Sequence, residues 1–240
     1  MKETRFFYVP HAATSAELPA DEAAHAVRVL RMKPGDEMVL MDGCGMFYKS
    51  EVTLAAPHHC AYKIHETIPQ SPQWRGHLHI GVAPTKMMER MEWMLEKVTE
   101  IGIDAVSFLD CANSERRVVK TERLDKIVVS AMKQSRKAWK PILNDIQPFE
   151  KVVAGAAGGR KYIAHCHTEI PRTYLFDELK ERNPGSDVTV LIGPEGDFTM
   201  EEVMKAKANG YVSVHLGDSR LRTETACIVA AMMMHLSLDA

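Results

Sequence analysis

The chain has 240 residues, enough for one large domain or a small domain beside a medium one, and 45% hydrophobic against 26% charged residues is ordinary globular composition. With 30 Lys and Arg against 32 Asp and Glu the net charge is -2, so any hold on a nucleic acid has to come from local basic patches and not from the field of the whole molecule. The five cysteines (Cys44, Cys60, Cys111, Cys166, Cys227) are scattered, odd in number and without a C-x-x-C pair, which argues against a disulfide framework or zinc ribbon and suits a reducing cytoplasm. No run approaches the roughly 18 apolar residues needed to cross a bilayer. The opening MKETRFFYVP lacks the apolar core of a signal peptide, so a cytoplasmic protein with no membrane partner is expected.

In chain order, residues 5–9 (RFFYV) form a short strand and residues 21–30 (DEAAHAVRVL) a helix. Lys33-Pro34-Gly35-Asp36 is a turn, because Pro presets φ and Gly accepts a positive one. Residues 38–41 and 46–54 read as strands joined through Asp42-Gly43, a hairpin signal, and residues 61–67 as a further strand. Small strands with tight turns suggest a compact barrel. Two prolines with Gln and Ser in residues 69–76 (PQSPQWRG) interrupt both periodicities and mark a linker, dividing the chain into domains 1–72 and 73–240.

The second part alternates strand and helix. Residues 78–83 form a strand. Residues 87–101 form a helix with Met87, Met91, Met94, Leu95 and Val98 on one face, closed by Gly102. A strand over 105–109 precedes a helix over 124–135 that turns Leu124, Ile127, Val128, Ala131 and Met132 inward. Residues 162–165 and the unbroken apolar run 188–192 (VTVLI) fit a buried parallel sheet. Thr199-x-x-Glu202 is a capping box opening a helix that stops at Gly210. A strand over 211–216 and a helix over 223–236 complete the chain, so the second part is α/β with a mostly parallel sheet.

Two segments carry chemistry. Leu191-Ile192-Gly193-Pro194-Glu195-Gly196-Asp197-Phe198-Thr199 follows a strand and precedes a capped helix, the edge of a sheet where α/β folds gather ligands. Gly193 and Gly196 are expected to let backbone approach a ligand and to take unusual φ values, with Glu195 held between them. The plain alternative is a tight turn with no ligand. Leu216-Gly217-Asp218-Ser219-Arg220-Leu221-Arg222-Thr223-Glu224-Thr225-Ala226 repeats the pattern. Arg222 stands at a helix N-terminus, the end that cations avoid and anions favour. Either it meets a phosphate or developing anion, or it pairs with Glu224 or Glu195 and fastens the loop; Thr223 is a candidate N-cap.

GPEGDFT followed by LGDSRLRTETA resembles the signature pair of the RsmE-type 16S ribosomal RNA uridine N3-methyltransferases of the SPOUT superfamily. The resemblance spans the chain. RFFYV is similar to the family's first strand, and His25-x-x-Arg28-Val29-Leu30-Arg31 with Lys33-x-Gly35-Asp36 to its first-domain motif. Lys86, Glu92, Glu96-Lys97 and Glu100-x-Gly102 resemble the start of its catalytic domain, and Arg116 and Gln134-Ser135 fall on its pattern. Where the family often has Gly after Gln-Ser and a second Gly in GPEGG, this chain has Arg136 and Asp197. The resemblance implies a PUA-like β-barrel before a SPOUT domain with a trefoil knot, a topology that pattern reasoning alone excludes. It implies S-adenosyl-L-methionine as methyl donor, held by Leu191, Gly193, Gly196, Leu216, Leu221 and Thr223 with His165 nearby. It also implies a homodimer, and as substrate 16S rRNA in the small ribosomal subunit, at N3 of the uridine usually numbered 1498. N3 carries a proton and is a poor nucleophile until it leaves, so Arg222 is the expected stabiliser of the anion and Glu195 a candidate base that could equally order its loop.

Residues 115–140 are locally basic, with Arg116, Arg136 and their neighbours against only Glu115, Glu122 and Asp125, and Trp139 available to stack on an unpaired base. Arg28 and Arg31, three apart, are expected on one helical face. The set Arg28, Arg31, Arg116 and Arg136 is the expected RNA contact; a solvated helix face is the alternative for any single charge. His58-His59-Cys60 and His165-Cys166-His167 are poorly spaced for one tetrahedral metal, so no metal is expected. Competing functions are a knotted methyltransferase on another RNA and a non-catalytic RNA-binding protein, separated by cofactor binding and by the identity of the methylated RNA.

Overall fold

The computed structural model describes residues 4–155, 158–183 and 185–238. The chain divides into two compact units: residues up to Gln73 with Val129–Lys140, and Trp74–Val128 with the chain from Pro141 onward. A stretch expected in the second domain thus counts with the first.

The first unit is built on four strands, β1 (Phe6–Tyr8), β2 (Glu37–Met41), β3 (Met46–Ala56) and β4 (His59–Pro69), in the order β1-β2-β3-β4. β1 runs parallel to β2 and the other pairs are antiparallel. Beyond β4, Leu18 N–H donates to Cys60 O and Tyr62 N–H to Ala16 O, extending the ladder through the 16–18 segment. Alternate residues of the strands, among them Phe7, Met38, Leu40, Val52 and Tyr62, fill the core of this unit. Helix α1 (Ala20–Ala24) is shorter than the expected helix. It passes into a π-helical turn, His25–Val29, whose Leu30 N–H donates to His25 O at 3.0 Å. Arg31 follows with φ 53, outside the helix, so Arg28 and Arg31 do not share a helical face. The widened turn and the left-handed residue after it are what the three-residue spacing concealed.

The second unit holds a seven-stranded sheet. Its strands are β5 (Leu78–Val82), β6 (Ala105–Asp110), β7 (Ile142–Pro148), β8 (Arg160–Ala164), β9 (Thr173–Tyr174), β10 (Val188–Ile192) and β11 (Val212–His215). The order is β7-β6-β5-β10-β8-β11-β9, and every recorded pair is parallel. The helices are α2 (Met88–Ile101), α3 (Thr121–Gln134), α4 (Phe149–Gly155), α5 (Leu175–Lys180), α6 (Met200–Ala208) and α7 (Thr223–Leu236). One sheet face meets α2, α5, α7 and the start of α3 in a core with Val188, Val190 and Ile192. The other face packs Leu191 and Ile163 against Phe149 and Val153 from α4, Phe198 from the β10–α6 loop and Val203 from α6. Burying both faces explains why β10 is apolar throughout. Met87, expected on the buried face, precedes α2 and is 48% exposed. β7, β9, α4 and α5 were not expected; β7 is a polar edge strand and the other three are short.

The capping box of α6 forms as expected: Thr199 Oγ1 accepts from Glu202 N–H and Thr199 N–H donates to Glu202 Oε2. Two helices end in the same Schellman geometry, a 6→1 bond enclosing a 5→2 bond. In α6 the left-handed residue is Gly210, φ 82. In α3 it is Arg136, φ 54, with Lys137 N–H on Met132 O and Arg136 N–H on Lys133 O.

Candidate functional site

β10, β8 and β11 are neighbours in the sheet, and their C-terminal ends open into one cavity of about 520 Å³. Ala164 and His165 from β8, Ile192 to Asp197 from the β10–α6 loop, and His215 to Thr223 from the β11–α7 loop supply most of its wall. This is the edge where a parallel sheet offers a crevice between diverging loops.

The β10–α6 loop is tied to three other segments. Glu195 Oε1 accepts from Lys86 N–H at 3.0 Å. Asn113 Nδ2 donates to the carbonyls of Gly196 and Asp197 at 3.3 and 3.0 Å. Asp197 Oδ2 accepts from Cys166 N–H at 2.7 Å, and its Oδ1 from Phe198 N–H at 2.8 Å. Neither Gly193 nor Gly196 has a positive φ, contrary to expectation; the left-handed residue of the loop is Asp197, φ 64. Close approach is what requires the glycines. A Cβ on Gly193 would lie 3.1 Å from the ring and backbone nitrogen of Phe198, and one on Gly196 3.2 Å from Asn113 Cβ.

The β11–α7 loop is more open. Gly217 has φ 119, and its N–H donates to His215 Nδ1 at 3.3 Å. Asp218, Ser219 and Arg220 are exposed. Arg222 is the N-cap residue of α7 and makes no side-chain capping bond. Both partners that could have fastened it are otherwise engaged: Glu195 holds Lys86 N–H, and Glu224 Oε1 lies 3.5 Å from Arg90 Nη1. Arg222 therefore presents an exposed guanidinium without an ion pair among the described residues. Thr223 is the first helical residue and not the N-cap; its buried hydroxyl donates to Gly193 O at 3.1 Å and binds the two loops together.

His165 is 4% exposed, and neither ring nitrogen has a hydrogen-bond partner among the described residues. Burial, with Arg172 and His167 nearby, pushes its imidazole down to about 4, against the upward pull of Asp197, so the ring is neutral at pH 7. Arg172 donates to His165 O at 2.6 Å and fixes the strand end. A buried imidazole with two vacant hydrogen-bonding positions beside a cavity is the arrangement a polar ligand satisfies.

Of the expected cofactor residues, His165, Gly193, Gly196, Leu216, Leu221 and Thr223 line this cavity. Leu191 does not: its side chain is fully buried on the opposite sheet face. The site also includes Arg90, Arg172 and Glu224, whose role depends on contacts distant in sequence; the alternating His-Cys-His run and the first turn of α7 were the only local signals.

The four expected RNA contacts are divided between the two units. Arg116 spends its guanidinium on Thr85 O and Lys86 O, bracing the β5–α2 loop of the second unit. The other three belong to the first unit and are exposed. Arg28 contacts His58 Nε2, and Arg136 lies over the Phe6 ring at 5.5 Å. Several basic neighbours are paired with acids outside their own segment: Lys133 with Glu22, Arg117 with Asp110 and Arg123 with Glu92. Trp139 is 41% exposed and rests on Gly45, whose Cβ would fall 2.3 Å from the indole.

Comparison with known proteins adds to this geometry. Residues 72–235 match the family model described as an RNA methyltransferase domain, and residues 18–64 one described as an RNA methyltransferase PUA domain. The chain is 30% identical over 241 residues to ribosomal RNA small subunit methyltransferase E of Mycobacterium bovis, covering 93% of this chain and 88% of that protein. It is 27% identical over 240 residues to the Rickettsia conorii protein of the same name, covering 98% and 96%. Among solved structures, a probable rRNA-methyltransferase from Porphyromonas gingivalis superposes with TM-score 0.92 at 43% identity over 98% of both chains. The Neisseria gonorrhoeae ribosomal RNA small subunit methyltransferase E, bound to S-adenosyl methionine, shares the fold with TM-score 0.85 at 24% identity over 98% of both chains.

Proposed function

The chain belongs to the RNA methyltransferase family of the small subunit methyltransferase E type, and from that premise we propose that it transfers a methyl group from S-adenosylmethionine to N3 of a uridine in 16S rRNA, the position usually numbered 1498. One observation carries the reading: three adjacent strand ends converge on a single cavity that holds a buried, neutral His165 with both ring nitrogens unpartnered.

The residues present fit such a donor. Backbone groups around Gly193 and Gly196, Leu216 and Leu221 offer peptide N–H and C=O beside apolar surface, which suits a purine. The first turn of α7 offers positive potential to an anion. When bound, the donor supplies an electrophilic methyl on a sulfonium. The chain's task is to bring uracil N3 against it, to exclude water and to stabilise charge as N3 loses its proton. Arg222 stabilises the uracil anion, and Glu195 keeps the cradle in shape through Lys86.

The proposal extends to the molecule's setting. The substrate is 16S rRNA within the small ribosomal subunit in the cytoplasm, held in part by exposed cations such as Arg28, Arg31 and Arg136. The sheet carries the trefoil knot of the family. The enzyme is a homodimer, and exposed Trp93 and Met232 on the packed helices α2 and α7 are apolar surface that association would cover. Among the described residues no helix is long and apolar enough to cross a membrane.

The deciding experiment incubates the purified protein with labelled S-adenosylmethionine and small subunits from cells lacking this modification, then identifies the labelled nucleoside. N3-methyluridine at one 16S position is the expected result. Label in another nucleoside or another RNA, or no label despite cofactor binding, overturns the assignment.

A further inference from the structure

The proton on uracil N3 needs an acceptor, and three carboxylates line the cavity. Asp197 is committed at both oxygens to backbone N–H groups. Glu195 is exposed and bonded to Lys86 N–H. Glu224 differs from both. It is 6% exposed, its Oε1 lies 3.5 Å from Arg90 Nη1, and its Oε2 is enclosed without a hydrogen-bond partner among the described residues. An enclosed carboxylate oxygen without a donor is costly, and such groups concentrate where chemistry needs them. Glu224 also sits in the first turn of α7, two residues after Arg222. One helix turn thus supplies a cation for the developing anion and a carboxylate for the departing proton. Arg90, 3.5 Å from Oε1, holds that carboxylate in place and leaves Oε2 for an incoming proton.

We propose that Glu224 is the catalytic residue that takes the N3 proton, with Arg90 as its positioning residue. The inference rests on the methyl-transfer reading above. The N3–H bond breaks, the proton passes to the Glu224 carboxylate, and the electron pair stays on N3, spread over O2 and O4. That pair forms the bond to the methyl carbon as the carbon–sulfur bond breaks and its electrons return to sulfur, which leaves as a neutral thioether. The proton is then released to water, restoring the carboxylate.

The test compares wild type with Glu224→Gln at saturating S-adenosylmethionine on unmodified small subunits, with calorimetric cofactor binding and thermal unfolding measured on the same samples. Glu224→Gln is expected to transfer about 100-fold more slowly, or worse, with cofactor affinity and unfolding temperature little changed. Subunits containing 5-fluorouridine, whose N3–H is more acidic, should restore the variant by about 10-fold relative to wild type. Arg90→Gln should lower kcat without raising the cofactor KM, and Arg90→Lys should recover most of it. A Glu224→Gln rate within about 3-fold of wild type, a loss matched by lost cofactor affinity, or no selective rescue by 5-fluorouridine overturns the assignment. Should Glu224→Gln fail to fold, Glu224→Asp and the fluorinated substrate decide alone, through the same selective rescue. Wild type that transfers nothing refutes the methyl-transfer reading itself, an outcome distinct from wild type and variant transferring alike.

Discussion

The β10–α6 loop is bonded at Glu195, Gly196 and Asp197 to three other segments, whereas Asp218, Ser219 and Arg220 of the β11–α7 loop are exposed and Arg222 has no ion pair among the described residues. The two loops meet through one buried bond, Thr223 to Gly193. One loop is therefore a preorganised cradle, and the other keeps a cation available for whatever enters. Preorganised backbone binds a small ligand without an ordering cost, while a guanidinium left unpaired in the free enzyme does not have to break a bond to engage a substrate.

The largest effect should come from the open loop. Arg222→Ala is expected to slow methyl transfer about 100- to 1000-fold with fold and cofactor affinity kept, measured by single-turnover transfer and calorimetry. Full activity in that variant would remove Arg222 from catalysis. Acid should act on the cradle side. His165 is held down to about 4 against an ordinary value of 6.5, so between those pH values the unfolded chain binds the proton and the native chain does not. Stability is then complete above pH 6.5 and falls on acidification toward pH 4, by at most ~3 kcal/mol from this group. His79, buried and likewise lowered to about 4, adds to the same window. Unfolding midpoints of His165→Gln across that range should show a shallower slope; an unchanged slope would mean the imidazole does not titrate there.

Next in size is Asp197→Ala, which removes the acceptor for Cys166 and Phe198 N–H and leaves Ala in left-handed backbone. It should cost about 2–3 kcal/mol in denaturant unfolding. Asp197→Gly relieves the backbone and loses the same bonds, so it should cost less than Ala; the reverse order would mean that the strain is absent. Thr223→Val, which cuts the link between the loops, should cost about 1 kcal/mol and weaken cofactor binding several-fold. If Thr223→Val changes stability alone, the loops do not depend on each other for the cavity.

What was readable beforehand follows from range. The apolar run of β10, the capping box at Thr199 and Glu202 and the two glycine loops are local patterns, and each holds its expected place. β7 escaped because an exposed edge strand, ILNDIQP, carries neither alternation nor a continuous apolar run. The bracing bonds of Arg116 were not legible because its partners, the carbonyls of Thr85 and Lys86, lie some thirty positions away and backbone acceptors leave no mark in composition. Arg90 and Glu224 were missed as site residues for the same reason. Of the two reasons expected for Gly193 and Gly196, close approach of backbone to a ligand and unusual φ, the second does not hold; both are crowded by Phe198 and Asn113, which only tertiary neighbours reveal. The departures at Arg136 and Asp197 are instructive in the opposite sense. Both fall where glycine was expected and both adopt the left-handed backbone that glycine favours, so the conformation persists after the residue has changed.

The seat of β10 between β5 and β8 bears on how the chain is made. Leu78 pairs with Val188, 110 positions further along the chain, a closure that costs entropy before any pairing rewards it. On the ribosome, β5 emerges with β6 to cover one flank and waits with the other flank bare until residue 192 has been synthesised. During that interval the nascent chain displays an open, apolar strand edge of the kind that invites mispairing. An enzyme that works on ribosomal RNA is thus itself, while being translated, most vulnerable at the β5 edge that β10, the strand leading into the cavity loop, will cover.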